Sequence, residues 1–195
     1  FILLLSTAKG LCVLKSAVLC GASIRMVVIA KDRKVQNDYS SEIVNLCLQN
    51  SIKFTLNRQD FNILNEDIII AVSWKWIIKC PIDRLLVFHD SLLPNYRGFA
   101  PLVNMLINGE KNIGGTVLLG GTNYDTGRIV AQKSINISYP IKIKNAISII
   151  CEVYSELSKN IFQSDLDVLI KSAVVQNEDN ATYSIWRDED DYLID

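Results

Sequence analysis

Four short, almost unbroken apolar runs punctuate the first half of the chain, at residues 2–5 (ILLL), 24–30 (IRMVVIA), 67–73 (DIIIAVS) and 85–89 (LLVFH). A strand with one face in water alternates apolar and polar side chains, whereas a strand buried on both faces has no reason to. The chain between these runs carries helical spacing instead. STAKG (6–10) opens a helix near 8–20, and in SSEIVNLCLQN (40–50) Ile43, Leu46 and Cys47 recur at helical intervals. A further short strand falls at IKFTL (52–56). Buried strands interleaved with helices are satisfied by one parallel sheet covered on both sides. The reading is a doubly wound α/β fold, mostly parallel, with helices on both faces.

Later segments extend this pattern. Phe99–Asn108 reads as a helix with Pro101 in its first turn and Gly109 as its stop. GTVLLGG (115–121) and RIVAQKSINI (128–137) read as two strands joined by a turn, and 141–172 as one long amphipathic helix. The last stretch, NEDNATYSIWRDEDDYLID, is acidic, has no long apolar run, and reads as an extension over 176–195 attached to a domain over 1–175. It is expected to be the start of a longer C-terminal segment, and because the chain opens on Phe1, residues are expected to precede it as well.

The totals set the class. With 49% hydrophobic and 21% charged residues in 195, the chain has the composition of a soluble globular domain, and a net charge of −1 provides no broad positive field for nucleic acid. Five cysteines, odd in number and without a CxxC, suggest neither a disulfide framework nor a zinc site. The opening FILLL is too short for a signal-peptide core or a membrane span. A cytoplasmic protein without membrane contact is expected.

In open α/β sheets ligands bind outside the carboxyl ends of the strands. His89, the single histidine, ends one apolar run there. A lone histidine in that place is either a catalytic imidazole or a turn residue with one structural hydrogen bond. Asp125, in the turn between two expected strands and followed by Thr-Gly, is likewise either a catalytic carboxylate or a turn former.

The two are decided together by a longer pattern. HDSLLPNYRGFAP (89–101), then Gly109-Glu110, Gly114-x-Thr116 and Asp125-x-Gly127, resembles the formyltransferase family that uses 10-formyltetrahydrofolate, whose signature runs Asn-x-His-x-Ser-Leu-Leu-Pro, Gly-x-Thr and Asp-x-Gly. Asp125 follows Thr116 by nine positions and His89 by 36, as in the family. The resemblance implies a Rossmann-like catalytic domain and an N-formyltransferase with 10-formyltetrahydrofolate as co-substrate. His89 would polarise the formyl group and shuttle a proton, and Asp125 would orient it and accept the proton of the attacking amine. AVSWKWII (71–78) resembles the segment that cradles the pterin, so Ser73, Trp74, Lys75 and Trp76, with Val87 and Phe88, are expected at the folate. Ser6, Lys9, Ser91, Tyr96, Arg97 and Gly98 are expected near the acceptor.

Three positions depart from the family. Val87 stands where the family has the Asn whose amide donates to the formyl oxygen, and a valine has no donor. Gly115 stands where Val or Cys is favoured, and Arg128 where an acidic or small residue is commoner. The resemblance favours the amine of a nucleotide-linked amino sugar as acceptor. Methionyl-tRNA is the disfavoured alternative, on account of the missing basic surface, and a non-catalytic folate- or sugar-nucleotide-binding module is a third. Tyr183, Trp186 and Tyr192 could pack on the domain or stack on a nucleobase. A homodimer is left open.

Overall fold

The structure, a computed structural model, describes residues 1–32 and 37–185. Strand β1 (Ile2–Leu5) is buried throughout and has parallel neighbours on both sides, β2 (Met26–Ile29) and, across the crevice, β4 (Ile69–Val72). β3 (Phe54–Thr55) extends the sheet beyond β2, and β5 (Leu85–His89) runs parallel beside β4. β7 (Asn112–Leu119) and β8 (Ile129–Asn136) complete it as an antiparallel pair, giving the order β3-β2-β1-β4-β5-β7-β8. The doubly wound, mostly parallel sheet read from the apolar runs is therefore the observed fold. The chain leaves β1 outward through β2 and β3 and returns to place β4 on the other side, so the switch point lies between β1 and β4.

Period-two geometry sends alternate side chains of each strand to opposite faces. Leu3, Leu5, Val27, Ile70, Leu86 and Phe88 face one cluster, closed by the helices α1 (Thr7–Leu19), α2 (Ser40–Gln49), α3 (Pro101–Ile107), α4 (Ile143–Gln163) and α5 (Leu166–Ser172). Ile2, Leu4, Val28, Ile69 and Ala71 face the other, where Phe61, Ile63, Trp74, Ile78 and Val87 pack. On that second face, where a helical layer was expected, the cover is mainly irregular chain between residues 61 and 80. Among the described residues no helix is long and apolar enough to cross a membrane.

Two boundaries differ from the sequence reading. The segment 141–172 is two helices, not one: Ser164 is extended, and Asp165 caps α5 by accepting from the amides of Asp167 and Val168 at 3.0 and 3.2 Å. The apolar spacing runs through the break, but a capping aspartate outcompetes helix continuation. The beginning of the expected extension is also bound into the domain. Gln176 is buried, and β9 (Tyr183–Ser184) pairs in parallel with β6 (Arg97–Gly98). Polar and backbone contacts hold this segment, which is why a search for apolar runs passes over it. Trp186 and Tyr192 lie outside the described residues.

Gly115 has a packing reason. Tyr154 of α4 is buried with its ring edge-on to Phe88, centroids 5.0 Å apart, and a Cβ at Gly115 would come within 2.8 Å of its Cε1. The Val or Cys that the sequence resemblance favours at this position would meet this ring. Gly115→Ala is expected to cost about 1–3 kcal/mol through overpacking, and less in a Tyr154→Ala background. Urea unfolding midpoints of the four proteins in that cycle measure it.

Candidate active site

The loops leaving β1 and β4 meet across the switch point. Ser6 is buried at the end of β1 and its amide donates to the Val72 carbonyl at 3.2 Å, while the Thr7 hydroxyl reaches the Ser73 hydroxyl at 3.1 Å. Thr7 (φ 64) and Ser73 (φ 52) both occupy the left-handed region, and a β-branched residue rarely does so. Backbone strain of this kind persists only where surrounding contacts enforce it.

His89 ends β5, and its side chain is nearly buried beside this crevice. Its Nε2 lies 2.8 Å from the Tyr96 carbonyl. A carbonyl can only accept, so Nε2 carries a proton and Nδ1 is the nitrogen left facing the rest of the site. Nδ1 faces Asp125 Oδ2 at 3.6 Å, an ion-pair separation too long for a hydrogen bond. The same Oδ2 accepts the Gly98 amide at 2.9 Å. The carboxylate is thus anchored on one side and stands off from the imidazole on the other.

The motif residues build the turn that carries His89. Thr116 pairs with His89 across the sheet, donates to the Ser91 carbonyl at 2.6 Å, and accepts from the Leu93 amide at 3.1 Å and from Gln132 Nε2 at 2.8 Å. Gly114 leaves room for Leu92, whose Cδ2 would lie 2.8 Å from an added Cβ. Gly127 is required more strictly, because a Cβ there would sit 1.8 Å from the Leu119 carbonyl oxygen.

Beneath the turn lies a charged set. Asp90 is ion-paired with Lys9 of α1 and accepts from the Tyr154 hydroxyl at 2.5 Å. Burial alone would raise the Asp90 carboxyl, but Lys9 and Tyr154 outweigh it and hold the group below the usual carboxylate range. Burial, reinforced by Asp90, pushes the Tyr154 phenol well above its ordinary value. Tyr154 had no signal in the sequence beyond its place on an apolar helix face, and Lys9 is engaged with Asp90, not with open solvent.

Of the other expected residues, the structure redirects several. Trp74 packs into the second face of the core, its ring 5.1 Å from Trp76, and Arg58 stacks 3.8 Å above Trp76. Lys75 pairs with Asp32. Val87 points to the second face with Trp74 and Ile78, on the His89 side of the strand, whereas Phe88 points into the helical core on the opposite face. Ser91 has no exposed surface and donates to the Asn95 carbonyl at 2.6 Å. It braces the turn instead of meeting an acceptor. Tyr96 contributes its carbonyl, not its ring, whose hydroxyl donates to Glu110 at 2.6 Å. Arg97, which could hold either an anionic substrate or the turn itself, takes the structural role and is fully buried: Nε and Nη2 donate to Gln176, and Nη1 and Nη2 to Glu178, at 2.8–3.0 Å. Gly98, at φ 100 and with only 2.7 Å to the Ser184 carbonyl oxygen for a Cβ, gives its amide to Asp125. Gln176 and Glu178 were not anticipated, because their partners are some eighty residues upstream and no local pattern links them.

An imidazole and a carboxylate face one another outside the strand ends of an open α/β sheet, which makes them the candidate acid-base pair of the chain. A family model described as formyl transferase matches residues 20–146, more than half of the chain, which therefore belongs to that family. A methionyl-tRNA formyltransferase of a Hydrogenobaculum species is 31% identical over 150 residues, covering 73% of this chain and 48% of that protein. The methionyl-tRNA formyltransferase of Thermodesulfovibrio yellowstonii is 33% identical over 141 residues, 64% of this chain and 46% of that protein. The chain spans just under half the length of these relatives. Among solved structures, the N-formyltransferase of Helicobacter canadensis, in complex with folinic acid and dTDP-3-aminofucose, matches with a TM-score of 0.73 at 18% identity, over 94% of this chain and 69% of that one. At that identity the likeness is one of fold.

The Lys9–Asp90 pair makes a stability prediction. Both side chains are largely shielded, at 16% and 15% exposure, so Asp90→Ala, which strands the lysine, is expected to cost about 3–5 kcal/mol. Because the folded carboxyl titrates below the unfolded one, its contribution is complete above about pH 4 and is lost as pH falls through the folded value. The acid limb of a plot of Tm against pH should accordingly flatten in Asp90→Ala.

Proposed function

We propose that this chain is the catalytic domain of an N-formyltransferase that moves a formyl group from 10-formyltetrahydrofolate to an amine. The observation that carries the reading is the His89–Asp125 pair, anchored at Nε2 and open at Nδ1, in a chain of the formyl transferase family. Transfer forms a bond from the amine nitrogen to the formyl carbon and breaks the bond from that carbon to the folate nitrogen. Negative charge grows on the formyl oxygen as the first bond forms. A protonated His89 donates from Nδ1 to that charge and then to the departing nitrogen, and Asp125 takes the proton shed by the amine. The 3.6 Å gap supports this division of labour, because a closed Nδ1–Asp125 hydrogen bond would occupy both groups.

The pterin is assigned to the backbone of 71–78 at the switch point, where Ser73 follows β4 at positive φ. Val87 keeps its aliphatic side chain in the second core cluster and supplies no donor to the formyl oxygen. The donor work there falls to His89 and to backbone amides.

The acceptor has two supported readings. The amino sugar of a nucleotide agrees with the fold of the Helicobacter canadensis enzyme, at 18% identity. Methionyl-tRNA is supported by sequence relatives at 31% and 33%, and it is the stronger of the two because likeness below a quarter identity speaks to fold alone. The net charge of −1 describes this chain only and bears less on that choice, since these relatives are about twice as long.

With a productive acceptor, His89→Asn and Asp125→Asn are each expected to lower kcat by at least about 10²-fold, the double variant by little more than the worse single one, and folate affinity should hardly change. Steady-state kinetics with methionyl-tRNA and with a nucleotide-linked amino sugar, in parallel, measure this and identify the acceptor. Near-normal transfer by His89→Asn would refute the catalytic reading of the histidine.

A further inference from the structure

Asp125 is held from two sides, and the second side lies far along the chain from every motif residue. We propose that Gln176 is the positioning residue of the His89–Asp125 pair, a role that rests on the formyl-transfer reading. Asp125 stands at φ 56, in the left-handed region that most L residues avoid and Asp enters more readily than others. Gln176, 5% exposed, holds it there: its Nε2 donates to the carbonyl of Asp125 at 2.8 Å and to that of Gly127 at 2.7 Å, bracketing the turn.

The amide cannot reverse. Its Oε1 accepts from Arg97 Nε at 3.0 Å and Nη2 at 2.8 Å, and Arg97 is itself fixed by a two-pronged contact with Glu178. A flipped amide would aim its oxygen at two carbonyls and its NH₂ at a guanidinium, leaving four buried contacts unpaired or repulsive. Arg97 therefore dictates which face of Gln176 meets the turn. The next residue, Gly98, gives its amide to Asp125 Oδ2, so one dipeptide secures both the backbone of Asp125, through Gln176, and its carboxylate directly. The 3.6 Å separation from His89 Nδ1 is the product of this frame. Gln176 itself reaches only the backbone carbonyls of that turn and the Arg97 guanidinium, so it acts only through Asp125.

Two variants separate the roles of the amide. Gln176→Glu keeps an acceptor for Arg97 but removes the donors to the turn, and Gln176→Met keeps the shape and removes both. A displacement of about an ångström at a reacting group can cost on the order of 10²-fold, so each variant should lower kcat about 10- to 100-fold with KM for folate unchanged, and should do nothing further in an Asp125→Asn background. A second readout needs no turnover: His89 is the only histidine, so its ring-nitrogen NMR signals are unambiguous. They should move on Asp125→Asn, move likewise on either Gln176 variant, and move no further in the combined variants. A folded Gln176 variant whose histidine signals match the wild type, or one whose rate loss is the same with and without Asp125, would overturn the proposal. Absence of any turnover in the wild type would count against formyl transfer, and the NMR comparison would still decide the positioning role.

Discussion

Under the proposed formyl transfer, an imidazole and a carboxylate that work on a third group cannot be allowed to satisfy one another. His89 and Asp125 are kept 3.6 Å apart, close enough for the charge of one to act on the other and too far for a hydrogen bond that would neutralise both. Each is tied from behind, His89 through Nε2 to the Tyr96 carbonyl and Asp125 through Oδ2 to the Gly98 amide. The tethers come from neighbouring residues of one loop, so that loop sets the gap. Much of the surrounding architecture fixes it: Thr116 and Gly114 hold the turn above, and β9 holds β6 from the far side.

A second layer ties the site to the core. Asp90 follows His89 directly, and its pairing with Lys9 and Tyr154 joins the end of β5 to α1 and α4. An ion pair this shielded contributes little net stability compared with apolar packing, but losing either partner leaves an uncompensated charge. Its effect is to fix where the end of β5 lies relative to two helices. Gly115 makes space for the tyrosine, so the departure from Val or Cys at that position and the presence of Tyr154 are one arrangement.

The sheet was legible in the sequence because strands buried on both faces leave unbroken apolar runs, and LLVFH coincides with β5 to the residue. That His89 and Asp125 lie together was legible because the motif spacing survives around them. The supporting contacts were not. Arg97 reads as a loop arginine that could hold an anionic substrate or the turn, and only the structure brings Gln176 and Glu178, about eighty residues away, around it. Polar contacts over such separations leave no periodicity. Phe88, Ser91 and Tyr96 were assigned to ligands because they adjoin His89, yet alternation along β5 turns Phe88 to the opposite face, and the turn consumes the Ser91 hydroxyl. Adjacency in sequence is a poor guide to which side of a strand or turn a side chain serves.

The central claim is that the space between His89 Nδ1 and Asp125 Oδ2 is where a formyl group is transferred. A crystal structure with a stable 5-formyl folate tests it most directly. The account predicts the pterin against the backbone of 71–78, outside the ends of β1 and β4, with the formyl group directed at His89 Nδ1 and the Nε2 contact to Tyr96 retained. A folate bound elsewhere on the sheet, or a formyl group that leaves the His89–Asp125 gap closed to it, would contradict the account.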